Sequence, residues 1–183
     1  MYYIAYGSNM NIGQMANRCP RSKRIGTGKI KDWDIVFKYH ADIVPSEGHV
    51  LPVLVWDIAP EDWPRLDRYE GYPAYYIRKT IPVTLDETGE TFDAVVYVMT
   101  DIRGNSLREP EEYYFEIIRQ GCEENGIDVE YLYDALDNAR WGNIVDDMDD
   151  FAPKEEEEDD NIFYNDSDDD IFDYFDQLLE DNI

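Results

Sequence analysis

The sequence predicts an α+β domain, a small mixed β-barrel of five to six strands flanked by short helices, with an acidic C-terminal extension. Three observations predict it. Runs rich in Tyr, Ile, Val and Thr recur with strand-like spacing through the first hundred residues. Helical periodicity is confined to short segments. The two kinds of segment do not alternate regularly, as they would in a doubly wound parallel sheet.

Met1 to Tyr6 reads as a first strand that stops at Gly7-Ser8-Asn9, and Asn11 to Arg18 reads as a short helix with Ile12, Met15 and Ala16 inward. Gly26 and Gly28 punctuate a second extended region in which Trp33, Ile35 and Phe37 alternate with Asp34, Val36 and Lys38. The stretch YHADIVPSEGH after Lys38, with Pro45, Gly48 and both histidines, is expected to be a loop over the sheet edge. Val50 to Ile58 is strand-like again, with Pro52 marking a bulge or an edge. Pro60 opens a helical segment carrying Trp63, Leu66 and Tyr69, which Gly71 stops. Tyr75 to Leu85 and Thr91 to Met99 form a hairpin about Asp86 to Gly89. A helix beginning at Pro110 runs through Ile117, Ile118 and Cys122 to Asn125-Gly126, and a second spans about Asp128 to Arg140.

The chain has 183 residues, enough for one sizeable core with an appendage. The natural division is 1–145 as the folded domain and 146–183 as an acidic tail. That tail holds 18 Asp/Glu against one lysine, so it carries most of the net charge of −26. Nucleic acid is excluded as a ligand by the lack of a cationic footprint. No apolar run is long enough to span a membrane, and the first residues lack the features of a signal peptide, so a cytoplasmic location is expected. Cys19 and Cys122 stand in no metal-ligand spacing with His40 or His49; the thiols read as reduced and structural, and no metal site is expected.

Two segments carry candidate chemistry. At YIAYGSNMN, residues 3 to 11, a strand gives way to a helix, and such a turn aims unpaired backbone N–H groups into one space, suited to a carboxylate or an oxyanion. An ordinary strand exit, with glycine at positive φ and a Ser or Asn cap, explains the same residues. At LDRYEGYPAYY, residues 66 to 76, Glu70 lies among Tyr69, Tyr72, Tyr75 and Tyr76 at a helix end. Aromatic desolvation and the negative end of the helix dipole would raise its pKa toward neutrality, with Arg68 opposing both. Taken alone, that segment is better read as a solvated helix-end acid among core tyrosines.

The combination weighs differently. YIAYGSN, LDRYEGYP and PEEYYFEIIRQGCEENG, in this order over roughly residues 1 to 135, resemble the γ-glutamylcyclotransferase family. The resemblance implies a small mixed β-barrel with flanking helices and a cyclising reaction. In that reaction the α-amine of a γ-glutamyl group attacks its own side-chain amide carbonyl and releases 5-oxoproline and a free amine. It implies that Tyr6, Gly7, Ser8 and Asn9 form the substrate loop, with Tyr3 on the same strand. It implies that Glu70 is the acid/base, and that Tyr114, or failing it Tyr113, lines the substrate pocket. Asn9 favours the branch acting on γ-glutamyl amino acids. The substrate brings its own nucleophile to five-membered-ring distance, so the reaction calls for no serine or cysteine nucleophile, metal or cofactor. Ser8 is then a binding or capping hydroxyl, and N–H groups near Gly7 and Ser8 hold the oxyanion or the α-carboxylate.

Two other readings stand beside this one: removal of a γ-glutamyl protecting group from a biosynthetic intermediate, and a non-catalytic small-molecule-binding module with a partner-binding tail. The histidines read as solvated and the four tryptophans as core. Within the tail, Ile171, Phe172, Tyr174, Phe175, Leu178 and Leu179 share one face of a candidate helix at 170–180. That face is expected to dock on this domain, on a second copy in a homodimer, or in a partner's groove.

Overall fold

A computed structural model describes residues 1–103 and 106–148. The expected tail, with its candidate helix at 170–180, lies outside the described residues. Five strands close a barrel: β1 (Tyr2–Ala5), β2 (Lys23–Lys38), β3 (His40–Asp57), β4 (Tyr76–Leu85) and β5 (Thr91–Met99). Around the barrel they run β1-β3-β2-β4-β5. All neighbours are antiparallel except β1 with β5, where Tyr3 faces Val95 and Ile4 faces Val96. Helices α1 (Ile12–Arg18), α2 (Trp63–Tyr69), α3 (Glu112–Glu124) and α4 (Glu130–Met148) surround it. The mixed barrel therefore has the predicted class, at the lower of the two strand counts.

Closure brings the inward residues of every strand into one core, including Ile4, Ile30, Phe37, Leu54, Val83 and Val96, all fully buried. Each such side chain contributes about 1.5–3 kcal/mol through its removal from water. Strand alternation supplies the pattern, and closure removes the edges an open sheet of this size would leave.

The segment after Lys38 is not a loop. Residues 40–57 are one strand, paired with β2 from Lys38–His40 to Lys23–Asp57. Tyr39, at φ 70°, makes the turn. Pro45 and Gly48 suggested a loop, but the register shift between Lys31 and Trp33 accommodates both. There Asp32 takes φ 61°, Gly48 takes φ 82°, and the Gly48 N–H donates to Asp32 Oδ1 at 2.9 Å. Pro52 pairs with Lys29 beyond the last β1 partner, Leu54, so it sits where β3 has a neighbour on one side only. α4 continues past the expected end at Arg140, and Trp141 is 62% exposed, so it does not belong to the core.

α1 buries Met15 as expected, but Ile12 and Ala16 face solvent and Arg18 is buried in their place. The helix is entered through Asn11, whose side chain caps it by accepting from the Gln14 N–H at 2.9 Å.

Between β1 and α1, Ser8–Met10 form one 3₁₀ turn, and α3 packs directly upon it. The contact is backbone to backbone. A Cβ placed on Gly121 would stand 2.6 Å from Asn11 N and 2.7 Å from the Met10 carbonyl carbon. Asn125 Nδ2 bonds Met10 O at 3.0 Å and secures the same seat. Gly121→Ala is therefore expected to push α3 from the turn and destabilise the fold by about 1–3 kcal/mol. Chemical denaturation checks this, with a lowered midpoint at unchanged m-value as the expected result.

Candidate active site

The chain leaves β1 into the turn with Gly7 at φ −113° and ψ −143°, so Gly7 is not in the left-handed region that a strand exit suggested. What glycine supplies here is bare backbone at a cavity wall. An added Cβ would stand 3.4 Å from both Ala41 Cβ and the Tyr114 hydroxyl, in a cavity that Gly7 helps to line. Met10 N–H donates to Gly7 O at 2.9 Å and Asn11 N–H to Ser8 O at 3.2 Å. The N–H groups of Gly7, Ser8 and Asn9 lie ahead of these first turn bonds.

Glu70 arrives from the opposite side. It is the last residue before Gly71, which at φ 61° ends α2; Gly71 N–H bonds Arg68 O and Tyr72 N–H bonds Asp67 O, the Schellman pattern. A Cβ on Gly71 would run into the Tyr75 ring at 2.4 Å, so this stop is set by conformation and by packing together. The glutamate side chain then points toward the turn after β1, where Asn9 Nδ2 donates to Glu70 Oε1 at 2.6 Å.

These elements form a cavity lined by Tyr3, Tyr6, Gly7, Ser8, Asn9, Glu70 and Tyr114, and also by Ala41, Tyr76 and Tyr97. Every residue expected at the site from the sequence is thus brought to one place. Tyr114 lines the cavity, and its hydroxyl accepts the Ala41 N–H at 3.2 Å. Tyr113 is exposed. Tyr6 donates to Tyr97 O at 2.8 Å and Tyr76 to Ala41 O at 3.0 Å.

Tyr76, read from the sequence as a neighbour of Glu70, also lines the cavity. Three participants were not expected. Tyr97 and Ala41 come from strands whose register no local pattern reveals. Arg18, only 9% exposed, lies behind the cavity wall. It donates to Asn9 Oδ1 at 2.6 Å, to Ser8 Oγ at 3.0 Å and to Gln14 Oε1 at 2.6 Å, and its guanidinium lies 3.6 Å from the Tyr69 ring centroid. One signal could have pointed to it: Met15 and Arg18 are three apart and share a helix face, and an arginine on an inward face needs a partner. Arg68, expected to oppose the pKa rise of Glu70, is exposed.

Burial pushes the Glu70 carboxyl up to about 7, against the downward pull of Arg18 and of the Asn9 hydrogen bond, with Asp67 adding slightly to the rise. Burial also raises the phenols of Tyr3, Tyr6, Tyr69, Tyr76 and Tyr114, so they stay neutral. Burial pushes the Cys19 thiol up to about 12, and Cys19 and Cys122 are both free and buried. His49 bonds Ser46 Oγ at 2.8 Å, and His40 packs edge-on against Tyr114. Among the described residues no three His, Cys, Asp or Glu side chains gather as a metal site, and no helix is long and apolar enough to cross a membrane.

The raised Glu70 has a consequence for stability. Its folded value lies above its unfolded value of 4.5, so the folded state holds the proton more tightly and stability falls as pH rises from about 4.5 to 7. The loss amounts to about 3 kcal/mol. Glu70→Gln keeps an acceptor for Asn9 and has no charge to bury. It is therefore expected to gain stability over the parent as pH increases from 4 to 8, which parallel thermal melts across that range will read.

Comparisons with known proteins bear on the family and the fold. The family model described as gamma-glutamyl cyclotransferase, AIG2-like, matches residues 3–116. Curated proteins named gamma-glutamylcyclotransferase from Mus musculus and Homo sapiens are 27% and 26% identical over 168 residues, with 83% of this chain and 87% of each relative covered. A solved structure described as a gamma-glutamyl cyclotransferase superposes with a TM-score of 0.64 at 21% identity, covering 96% of this chain and 98% of that one, and so shares its fold. With three-fifths of its length, including the turn after β1, the end of α2 and the start of α3, matched by one family of enzymes, the chain belongs to the γ-glutamyl cyclotransferase, AIG2-like family.

Proposed function

We propose that the protein converts a small γ-glutamyl amine or γ-glutamyl amino acid to 5-oxoproline and the free amine, with Glu70 as general acid and base. The observation that carries the proposal is the position and state of Glu70. It is a desolvated carboxyl, raised to about 7, facing a small cavity across from the bare backbone of Gly7.

The chemistry follows from that pairing. A γ-glutamyl substrate enters with its α-ammonium toward Glu70, and the carboxylate takes one proton from it. The freed amine attacks the side-chain amide carbonyl carbon, forming the ring C–N bond and a tetrahedral oxyanion. N–H groups of Gly7 and Ser8 stabilise that oxyanion or hold the α-carboxylate. Collapse breaks the bond to the departing nitrogen, which receives the proton held by Glu70. The ring nitrogen then gives up its remaining extra proton, through the regenerated Glu70 carboxylate, to the freed amine, which leaves as its ammonium, so the protons balance and the carboxylate is restored. A carboxyl near 7 serves both halves, because it is a competent base when ionised and a competent acid when protonated.

The cavity supports a small ligand. Half of its lining residues are tyrosines, which offer apolar faces and hydroxyls without a fixed charge. Ser8 Oγ already accepts from Arg18 and contacts the Tyr69 hydroxyl at 3.3 Å, so its hydroxyl is engaged with the protein and its contribution to the substrate is the main-chain N–H.

Two outcomes are expected. Glu70→Gln should lower 5-oxoproline production by roughly 10²-fold or more while product binding persists, and kcat/KM of the parent should fall as pH drops below about 7, where the base becomes protonated. Mass-spectrometric detection of 5-oxoproline from a panel of γ-glutamyl amines and amino acids supplies the assay. An active Glu70→Gln would remove the residue from the mechanism. Gly7→Val should abolish 5-oxoproline binding, since its methyls extend from a Cβ already in contact with Ala41 and Tyr114. Ser8→Ala should weaken binding far less, measured by calorimetry with the product.

A further inference from the structure

Among the described residues Glu70 makes no ion pair, yet a buried guanidinium lies one side chain away. Asn9 stands between the two. Its Nδ2 gives one hydrogen to Glu70 Oε1 at 2.6 Å and the other to the Tyr3 hydroxyl at 2.8 Å, while its Oδ1 receives Arg18 at 2.6 Å. An arginine has donors only, so Oδ1 is the one end of the amide that can face it. A reversed amide would set its oxygen against the glutamate and its NH₂ against the guanidinium, losing both bonds.

We propose that Arg18 is a positioning residue for the cyclisation: it locks the amide of Asn9 so that Nδ2 holds Glu70 at the cavity, with its own buried charge one side chain away from the carboxyl. The inference rests on the acid/base reading of Glu70. Arg18 does not line the cavity, and it acts through Asn9 and through its field.

The guanidinium is built into its place. The Tyr69 ring lies under it at 3.6 Å, Gln14 of the same helix accepts from one nitrogen, and Ser8 and Asn9 accept from another. A planar fork stacked on an aromatic face can make all of these bonds at once, and an ammonium cannot. The other groups facing Glu70 do not share the task. Asp67, from α2, is acidic and pushes the Glu70 titration upward, and the phenols of Tyr3, Tyr69, Tyr76 and Tyr97 stay neutral because burial raises them. The Cys19 thiol, pushed up to about 12, is neutral as well. Arg18 is the cation whose attraction lowers the Glu70 titration.

Two substitutions separate orientation from charge. Arg18→Met removes both, and Arg18→Lys keeps the charge without the fork. The full chain, labelled with ¹³C at the glutamate carboxyl carbons, gives the Glu70 titration directly by NMR in each variant, with the resonance assigned by its loss in Glu70→Gln. In Arg18→Met the Glu70 titration should move up by about one pH unit or more, and the acidic limb of kcat/KM should move with it. In Arg18→Lys the titration should stay within about half a unit of the parent, while kcat falls roughly 10- to 10²-fold because the carboxyl is no longer held in place. An unmoved Glu70 titration in Arg18→Met, or parental kcat in Arg18→Lys, overturns the proposal. If Arg18→Met does not fold, the lysine variant still decides the orienting role. A parent that binds but never cyclises γ-glutamyl compounds would sink the reaction instead, and the carboxyl titration would still test the coupling of Arg18 to Glu70.

Discussion

A carboxyl group shielded from water and held by one amide hydrogen is the constraint on which the rest of the site depends. Glu70 accepts from Asn9 at 2.6 Å, and burial outweighs both that bond and the pull of Arg18, leaving the group near neutrality. A directly paired arginine would have kept it firmly ionised, and a cavity without any cation would have driven it higher still. The arrangement of a cation one residue removed places the titration between those extremes. It costs folding stability at neutral pH, as a group tuned for proton transfer in a small domain generally does.

Everything that fixes this geometry converges on the few residues after β1. The turn is pinned from below by the barrel, where Trp56 Nε1 donates to Asn9 O at 3.1 Å, and from outside by α3, whose Gly121 lets the two backbones touch. It is pinned along the chain by α1, whose buried end supplies Arg18. Three elements far apart in sequence thus meet at one three-residue turn. Glu70 reaches the same point from the Schellman end of α2, where its carboxyl accepts from Asn9. The precision of the site is a property of packed elements, which hold a carboxyl far more closely than a loop does.

Much of this was legible beforehand where short-range chemistry decides the outcome. The β4–β5 hairpin, the end of α2 at Gly71 and the start of α3 after Pro110 follow from turn residues and strand composition acting over a few positions. The segment after Lys38 misled because Pro45 and Gly48 are ordinary loop residues, and only pairing with β2, bulged at Asp32, makes them part of a strand. α1 misled for a related reason. Ile12 looked inward by apolarity, yet the neighbour that α1 meets is the polar turn it helps to build, so the helix turns Met15 and Arg18 toward it and leaves Ile12 39% exposed. The glycine of the YGSN stretch leaves bare backbone beside Ala41 and Tyr114 and takes no positive φ, and no reading of a single segment contains those two neighbours.

The sequence by itself determined the class of fold, the family and the residue types available for chemistry, because alternation, helix stops and short motifs are written in neighbouring positions. Only the tertiary structure decided which of those residues face one another. The approach of Arg18 to Asn9, and of Asn9 to Glu70 across 61 positions, depends on the closure of the barrel and the register of its strands. The pKa of Glu70 was decided there as well, since desolvation is a property of the surroundings that a carboxyl acquires only when the turn after β1, the end of α2 and the tyrosines of three strands close around it.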